Sequence, residues 1–215
     1  MTLKADLYWS YRSPYSYLAT RRYVKLVEEY DIDIMLRPVM PQAIRKPDFF
    51  DKNHPNWLGY ILRDIYRLSQ HLDLPLAAPN PDPIVQDMMT REIAKDQPYI
   101  YRLSRMGQIA SRKGAGLAFA DKVSQIIWSG TANWHQGDHL ANAASACGLD
   151  FDALEAEAHN NADALDAEIA GNQDALEKAG HWGVPTLVFN EELFFGQDRI
   201  EIAIIELKKA GLQKR

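Results

Sequence analysis

The chain has 215 residues, 47% hydrophobic and 25% charged, with a formal net charge of -5 and one cysteine, Cys147. This balance lacks the clustered Lys/Arg excess of a nucleic-acid footprint, and a lone cysteine excludes an intramolecular disulfide. No apolar run approaches the ~18 residues of a bilayer span and residues 1–6 hold no apolar core for a secretion signal, so the chain reads as cytoplasmic.

Leu3, Ala5, Leu7 and Trp9 alternate with Lys4, Asp6 and Tyr8, a strand pattern. Ser13-Pro14 then opens a helix, with serine as cap and proline in the first turn. Ala19, Tyr23, Leu26, Val27 and Tyr30 give that helix one apolar face, and Ile32, Ile34 and Leu36 alternate as a second strand ending near Pro38. Leu58, Ile61, Leu62, Ile65, Leu68 and Leu72 mark a helix starting near Asn56, followed by a proline-rich loop over 75–83. Further helices are predicted at 86–96, 98–112, 115–128, 138–147, 151–158 and 161–179, with no strand between 40 and 182. Thr186-Leu-Val-Phe189 and Leu193-Phe-Phe195 flank the turn Asn190-Glu-Glu192 as a hairpin, and Gly196-Gln-Asp-Arg199 starts the last helix. The order β-α-β, helical block, β-β-α predicts an α/β thioredoxin-like domain (residues 1–50 and 181–215) with an inserted all-helical domain (51–180).

Three motifs carry candidate chemistry. Ser13-Pro14-Tyr15-Ser16 stands at the strand–helix junction where thioredoxin-like redox proteins carry Cys-x-x-Cys. Serine cannot exchange disulfides, but a hydroxyl beside helix-tip N–H groups suits a bound thiolate; the plainer reading is a helix cap. In Gly183-Val184-Pro185-Thr186, a cis bond before Pro185 would expose the Val184 backbone to a short extended peptide; alternatively Pro185 only starts a strand. Gly196-Gln197-Asp198-Arg199 offers a helix start to a carboxylate, with Asp198 for an ammonium group, or is an ordinary capping turn. Cys147 reads as a small buried hydrophobe, and the six histidines are scattered without a metal-ligand pattern. Trp57, Trp128, Trp134 and Tyr101 read equally as pocket wall or core, and Arg12 reads as a solvated loop charge in preference to a contact for a substrate carboxylate.

Tyr8-Trp-Ser-Tyr-Arg-Ser13-Pro-Tyr-Ser-Tyr-Leu-Ala19, Gly183-Val-Pro-Thr186 and Phe194-Phe-Gly-Gln-Asp-Arg199 together resemble the 2-hydroxychromene-2-carboxylate isomerase family, which is close to the kappa-class glutathione transferases in the DsbA-like thioredoxin group. The resemblance runs from residue 7 to about 207, strongest at the two ends. It implies a glutathione cofactor, with Ser13 bonding the sulfur, Val184 before a cis Pro185 pairing with the cysteinyl backbone, and Gln197 and Asp198 holding the γ-glutamyl end. Asn53, in Asn53-His-Pro55, is implied to lie near the glutathione. The implied activity is isomerisation of 2-hydroxychromene-2-carboxylate to trans-o-hydroxybenzylidenepyruvate or of a related aromatic-degradation intermediate. A kappa-like transferase and a catalytically silent glutathione-binding protein are the alternatives. The implied partners are a small aromatic substrate and a second copy of the chain as a homodimer, with no nucleic acid and no membrane.

Overall fold

The computed structural model describes residues 2–46, 54–87, 90 and 92–215. The opening follows the sequence pattern: β1 (Leu3–Trp9), α1 (Pro14–Glu29) and β2 (Ile32–Pro38), with β1 and β2 parallel in the register Leu7 to Leu36. The hairpin of β3 (Thr186–Phe189) and β4 (Glu192–Phe195) joins the other edge of β1 through the antiparallel pair Leu7 and Leu187. The sheet order is therefore β2-β1-β3-β4, which places the chain reversal after β1 beside the entry to β3.

Between β2 and β3 lie a short helix α2 (Gln42–Arg45), then α3 (Asn56–His71), α4 (Ile100–Arg112), α5 (Gly116–Trp128), α6 (His139–Ser145), α7 (Phe151–Asn160) and α8 (Ala162–Lys178); α9 (Ile200–Lys209) closes the chain. Leu7 and Leu36 of the sheet and Met106 and Val123 of the helices belong to one contiguous buried core. Two polar links fix α4 and α8 to the end of β2. The Ser111 hydroxyl donates to the Leu36 carbonyl at 2.5 Å, and the Asn172 amide donates to the Pro38 carbonyl at 2.9 Å. Close approach explains Gly107 of α4: a Cβ there would stand 2.4 Å from the Tyr11 hydroxyl oxygen, and Tyr11 is fully buried.

Two expectations are corrected. The described residues of 86–96 form no helix; an isolated antiparallel bridge joins Gln86 to Ile93. The cause is side-chain competition for the backbone. Asp87 accepts from the Thr90 N–H at 2.7 Å, turning the chain, and Gln97 bonds both the N–H and the carbonyl of Val85. The last helix also starts later than expected, because Gln197–Arg199 forms a single 3-10 turn ahead of α9. No helix of the described residues is long and apolar enough to cross a membrane.

Candidate active site

Ser13 is the cap of α1. It has extended backbone geometry, and its Oγ accepts from the Ser16 N–H at 3.2 Å. Pro14 has no N–H to satisfy, and the Tyr17 N–H returns to the Ser13 carbonyl at 3.1 Å. α1 carries no acidic residue of its own in its first turn. The Ser13 hydroxyl also faces the Val184 carbonyl at 3.5 Å, too long to engage its proton firmly. The tip of α1 and the entry to β3 thus meet at one hydroxyl, between residues 171 positions apart in sequence.

The Val184–Pro185 bond is cis. Val184 is half-buried; among the described residues its N–H makes no backbone hydrogen bond and its carbonyl faces only the weakly held Ser13 hydroxyl, which an extended ligand could displace. Pro185 is buried, and its carbonyl accepts from the Gly196 N–H at 2.8 Å. That bond brings Gln197 and Asp198 next to the Val184–Pro185 segment. Gly196 has φ 99°, and a Cβ on it would lie 2.6 Å from the Asp198 carboxylate, so the turn requires glycine.

Gln197 is buried, and Arg22 of α1 donates to its carbonyl at 2.6 Å while also pairing with Glu201. Asp198 is exposed, and its carboxylate pairs with Arg199 at 2.7 Å. An exposed pair of this kind is worth about 0–1 kcal/mol and yields readily to a better-placed cation. The Ser13–Val184 and Gly196–Pro185 links thus gather Ser13, Val184, Pro185, Gln197 and Asp198 at the C-terminal end of β1 and the start of β3, with Pro185 and Gln197 buried and Asp198 exposed. Asn53 lies outside the described residues.

Several neighbours carry no local sequence signal. The Tyr15 phenol donates to Asp64 of α3 at 2.6 Å; burial, then this carboxylate, raise its pKa far above the ordinary value and keep it protonated. His181 stacks between Trp182 and Phe195 at ring-centroid distances of 4.6 and 3.9 Å. Burial lowers the His181 pKa, and its Nδ1 accepts from the Gly183 N–H at 2.9 Å. These contacts join residues far apart in the chain, or face partners that periodicity does not name.

Arg12 is corrected: it is not a solvated charge. Its side chain is 29% exposed, and its Nε bonds Asp82 at 2.5 Å. Trp128 and Trp134 are core residues, whereas Tyr101 and Trp57 are half-buried. Cys147 is half-buried against the core, and burial raises its thiol pKa, which disfavours a reactive thiolate. Among the described residues no group of three or more His, Cys, Asp or Glu side chains is arranged to hold a metal ion.

A parallel β-α-β start, an antiparallel hairpin on the same sheet and a capped helix tip facing a cis-proline turn define a thioredoxin-type fold with oxygen where exchange chemistry needs sulfur. The chain belongs to the DSBA-like thioredoxin domain family, whose model matches residues 4–203. It is 24% identical over 200 residues to a 2-hydroxychromene-2-carboxylate isomerase of Pseudomonas putida, covering 91% of this chain and 89% of that protein. A solved structure of 2-hydroxychromene-2-carboxylate isomerase is similar with a TM-score of 0.70 at 21% identity, over 97% of this chain and 96% of the other. The cytosolic disulfide reductase DsbM of Pseudomonas aeruginosa, solved with GSH, is similar with a TM-score of 0.57 at 14% identity, over 97% of this chain and 100% of the other.

Proposed function

We propose that the chain is a glutathione-dependent isomerase acting on 2-hydroxychromene-2-carboxylate, to give trans-o-hydroxybenzylidenepyruvate, or on a related aromatic-degradation intermediate. The observation that carries this reading is the meeting of the Ser13 hydroxyl, the tip of α1 and the Val184 backbone before a cis proline within one contact. A cysteinyl peptide laid along Val184 brings its sulfur to that hydroxyl. The isomerase of Pseudomonas putida and the disulfide reductase solved with GSH support the choice of ligand and reaction.

The chain's own groups have definite tasks under this reading. Ser13 donates its proton toward the sulfur and, with the helix tip, favours the thiolate over the thiol. Val184 pairs with the cysteinyl amide and carbonyl, and cis-Pro185 fixes the direction of that backbone. Gln197, held by Arg22, and Asp198, held by the Gly196 turn, receive the γ-glutamyl end. When bound, glutathione would supply a thiol nucleophile for reversible addition to a conjugated carbon, the chemistry that cis–trans isomerisation of the ring-opened phenol–ketone form of the substrate needs. No proton or electron is gained or lost over the cycle. Residues 1–50 and 181–215 serve as the glutathione-binding domain and 51–180 as a helical domain that shapes the electrophile side. A homodimer and a cytoplasmic location, where thiols stay reduced, accord with this reading.

Product analysis tests it. With trans-o-hydroxybenzylidenepyruvate and a sub-stoichiometric amount of glutathione, the expected result is many turnovers with the glutathione recovered free. A stable glutathione conjugate makes the protein a transferase. Tight glutathione binding with no turnover on this substrate or its close relatives overturns the isomerase reading.

A further inference from the structure

Arg12 directly precedes Ser13 in the turn closed by the Ser13 N–H to Ser10 carbonyl bond. Its guanidinium is fixed from two sides. Asp82 takes the Nε proton at 2.5 Å, and the Cζ lies 5.8 Å from the centre of the Trp128 ring. Both supports are themselves held. The Asp82 Oδ1 also accepts the Ile84 N–H at 2.9 Å, and the carbonyl of neighbouring Pro81 accepts from the Trp134 indole at 2.7 Å. The Trp128 indole donates to the Tyr11 carbonyl at 3.3 Å, one residue before Arg12. The proline-rich loop is tied back to α1 by the Tyr17 hydroxyl on the Pro75 carbonyl at 2.6 Å.

This leaves an arginine that is less than a third exposed, with only its Nε engaged. Among the described residues the hydrogen bond and ion pair of this guanidinium run through Nε alone, leaving Nη1 and Nη2 without a protein acceptor. A planar, pre-oriented pair of donors is the arrangement that recognises a carboxylate end-on, and a lysine in the same place would offer only a point charge. An ordinary surface ion pair does not need an indole platform and a doubly bonded aspartate to orient it.

We infer that Arg12 is the anion clamp of the electrophile side of the site, binding through Nη1 and Nη2 a carboxylate carried by the second substrate. The inference rests on the glutathione reading only for the identity of the molecule on the other side of Ser13. A carboxylate of glutathione itself would satisfy the same chemistry, so the test separates the two sources.

The probes are 2-naphthoate and its uncharged analogue 2-naphthamide, titrated calorimetrically into the full chain with and without glutathione, alongside a titration of glutathione alone. One charge-assisted hydrogen-bond pair predicts that the wild-type chain binds 2-naphthoate about tenfold or more tightly than 2-naphthamide. Arg12→Met is expected to erase that preference while changing the glutathione Kd less than about twofold, since only one of two carboxylate-bearing ligands meets the fork. Should Arg12→Met fail to fold, Arg12→Lys keeps the charge and the stem and is expected to reduce the preference because the fork is gone. Equal binding of the two probes by the wild-type chain overturns the inference. So does a glutathione Kd that rises tenfold in the variant while the naphthoate preference survives. Absence of any glutathione binding in the wild-type chain, with the naphthoate preference intact, sinks the glutathione reading and leaves the clamp standing.

Discussion

Under the proposed glutathione reading, Ser13→Ala is expected to raise the thiol pKa of the bound tripeptide by about 1–2 units, the equivalent of one charge-assisted hydrogen bond of roughly 1.5–3 kcal/mol. The thiolate fraction then falls about 10–100-fold at a pH below both pKa values, and by less where the wild-type thiol is already largely ionised. The more basic sulfur is a better nucleophile, with a Brønsted slope of about 0.4–0.5, and this returns part of the loss. The net expectation is a turnover about three- to tenfold lower at neutral pH that recovers as pH rises through the new pKa. A general loss of structure would not recover with pH, so the shifted profile separates the two explanations. The same substitution removes the cap on the Ser16 N–H, at about 0.5–2 kcal/mol of stability, whereas Ser13→Thr retains both the hydroxyl and the cap. An unchanged pH profile and an unchanged thiolate absorbance in Ser13→Ala would contradict the proposed role.

Trp9→Ala is expected to cost about 3–5 kcal/mol, a large share of the ~5–15 kcal/mol that holds a typical domain together. Trp9 ends β1 with no exposed surface, and its indole donates to the Thr20 hydroxyl at 2.8 Å. It packs edge-on against Tyr11 with ring centroids 4.6 Å apart. The side chain thus braces β1 against the second turn of α1, the helix that Ser13 caps. Trp9→Phe keeps most of the volume and removes the indole N–H, so it should cost roughly 1–2 kcal/mol. Urea unfolding followed by circular dichroism reads both values. A Trp9→Ala midpoint within about 1 kcal/mol of the wild-type chain would mean that the core closes around the gap and that Trp9 is not the brace.

Much of this architecture could be read before any coordinates because its determinants are local. The alternation of Leu3, Ala5, Leu7 and Trp9 and the Ser13-Pro14 pair set the strand, the cap and the helix tip within a dozen residues. The turn at Gly196 was equally legible, since its φ of 99° leaves little choice but glycine. The stretch 86–96 was not, because Gln97 and Asp87 offer the backbone side-chain partners in place of helical ones, a competition that apolar spacing does not register. Arg12 was misread for a related reason. Its partner Asp82 lies 70 positions away, and Trp128 is brought over it only by the packing of α5 on α1. Likewise the hold of Arg22 on Gln197 spans 175 positions. Local pattern announces where a hydroxyl or a turn sits, and tertiary contact decides which charges are solvated and which are aimed.

A crystal structure of the chain soaked with reduced glutathione probes the central claim most directly. The sulfur is expected within hydrogen-bonding reach of the Ser13 Oγ, about 3.2–3.5 Å for an oxygen–sulfur pair, with the peptide backbone antiparallel to Val184. Glutathione seated elsewhere, or lying along Val184 with its sulfur turned away from the tip of α1, would contradict the account.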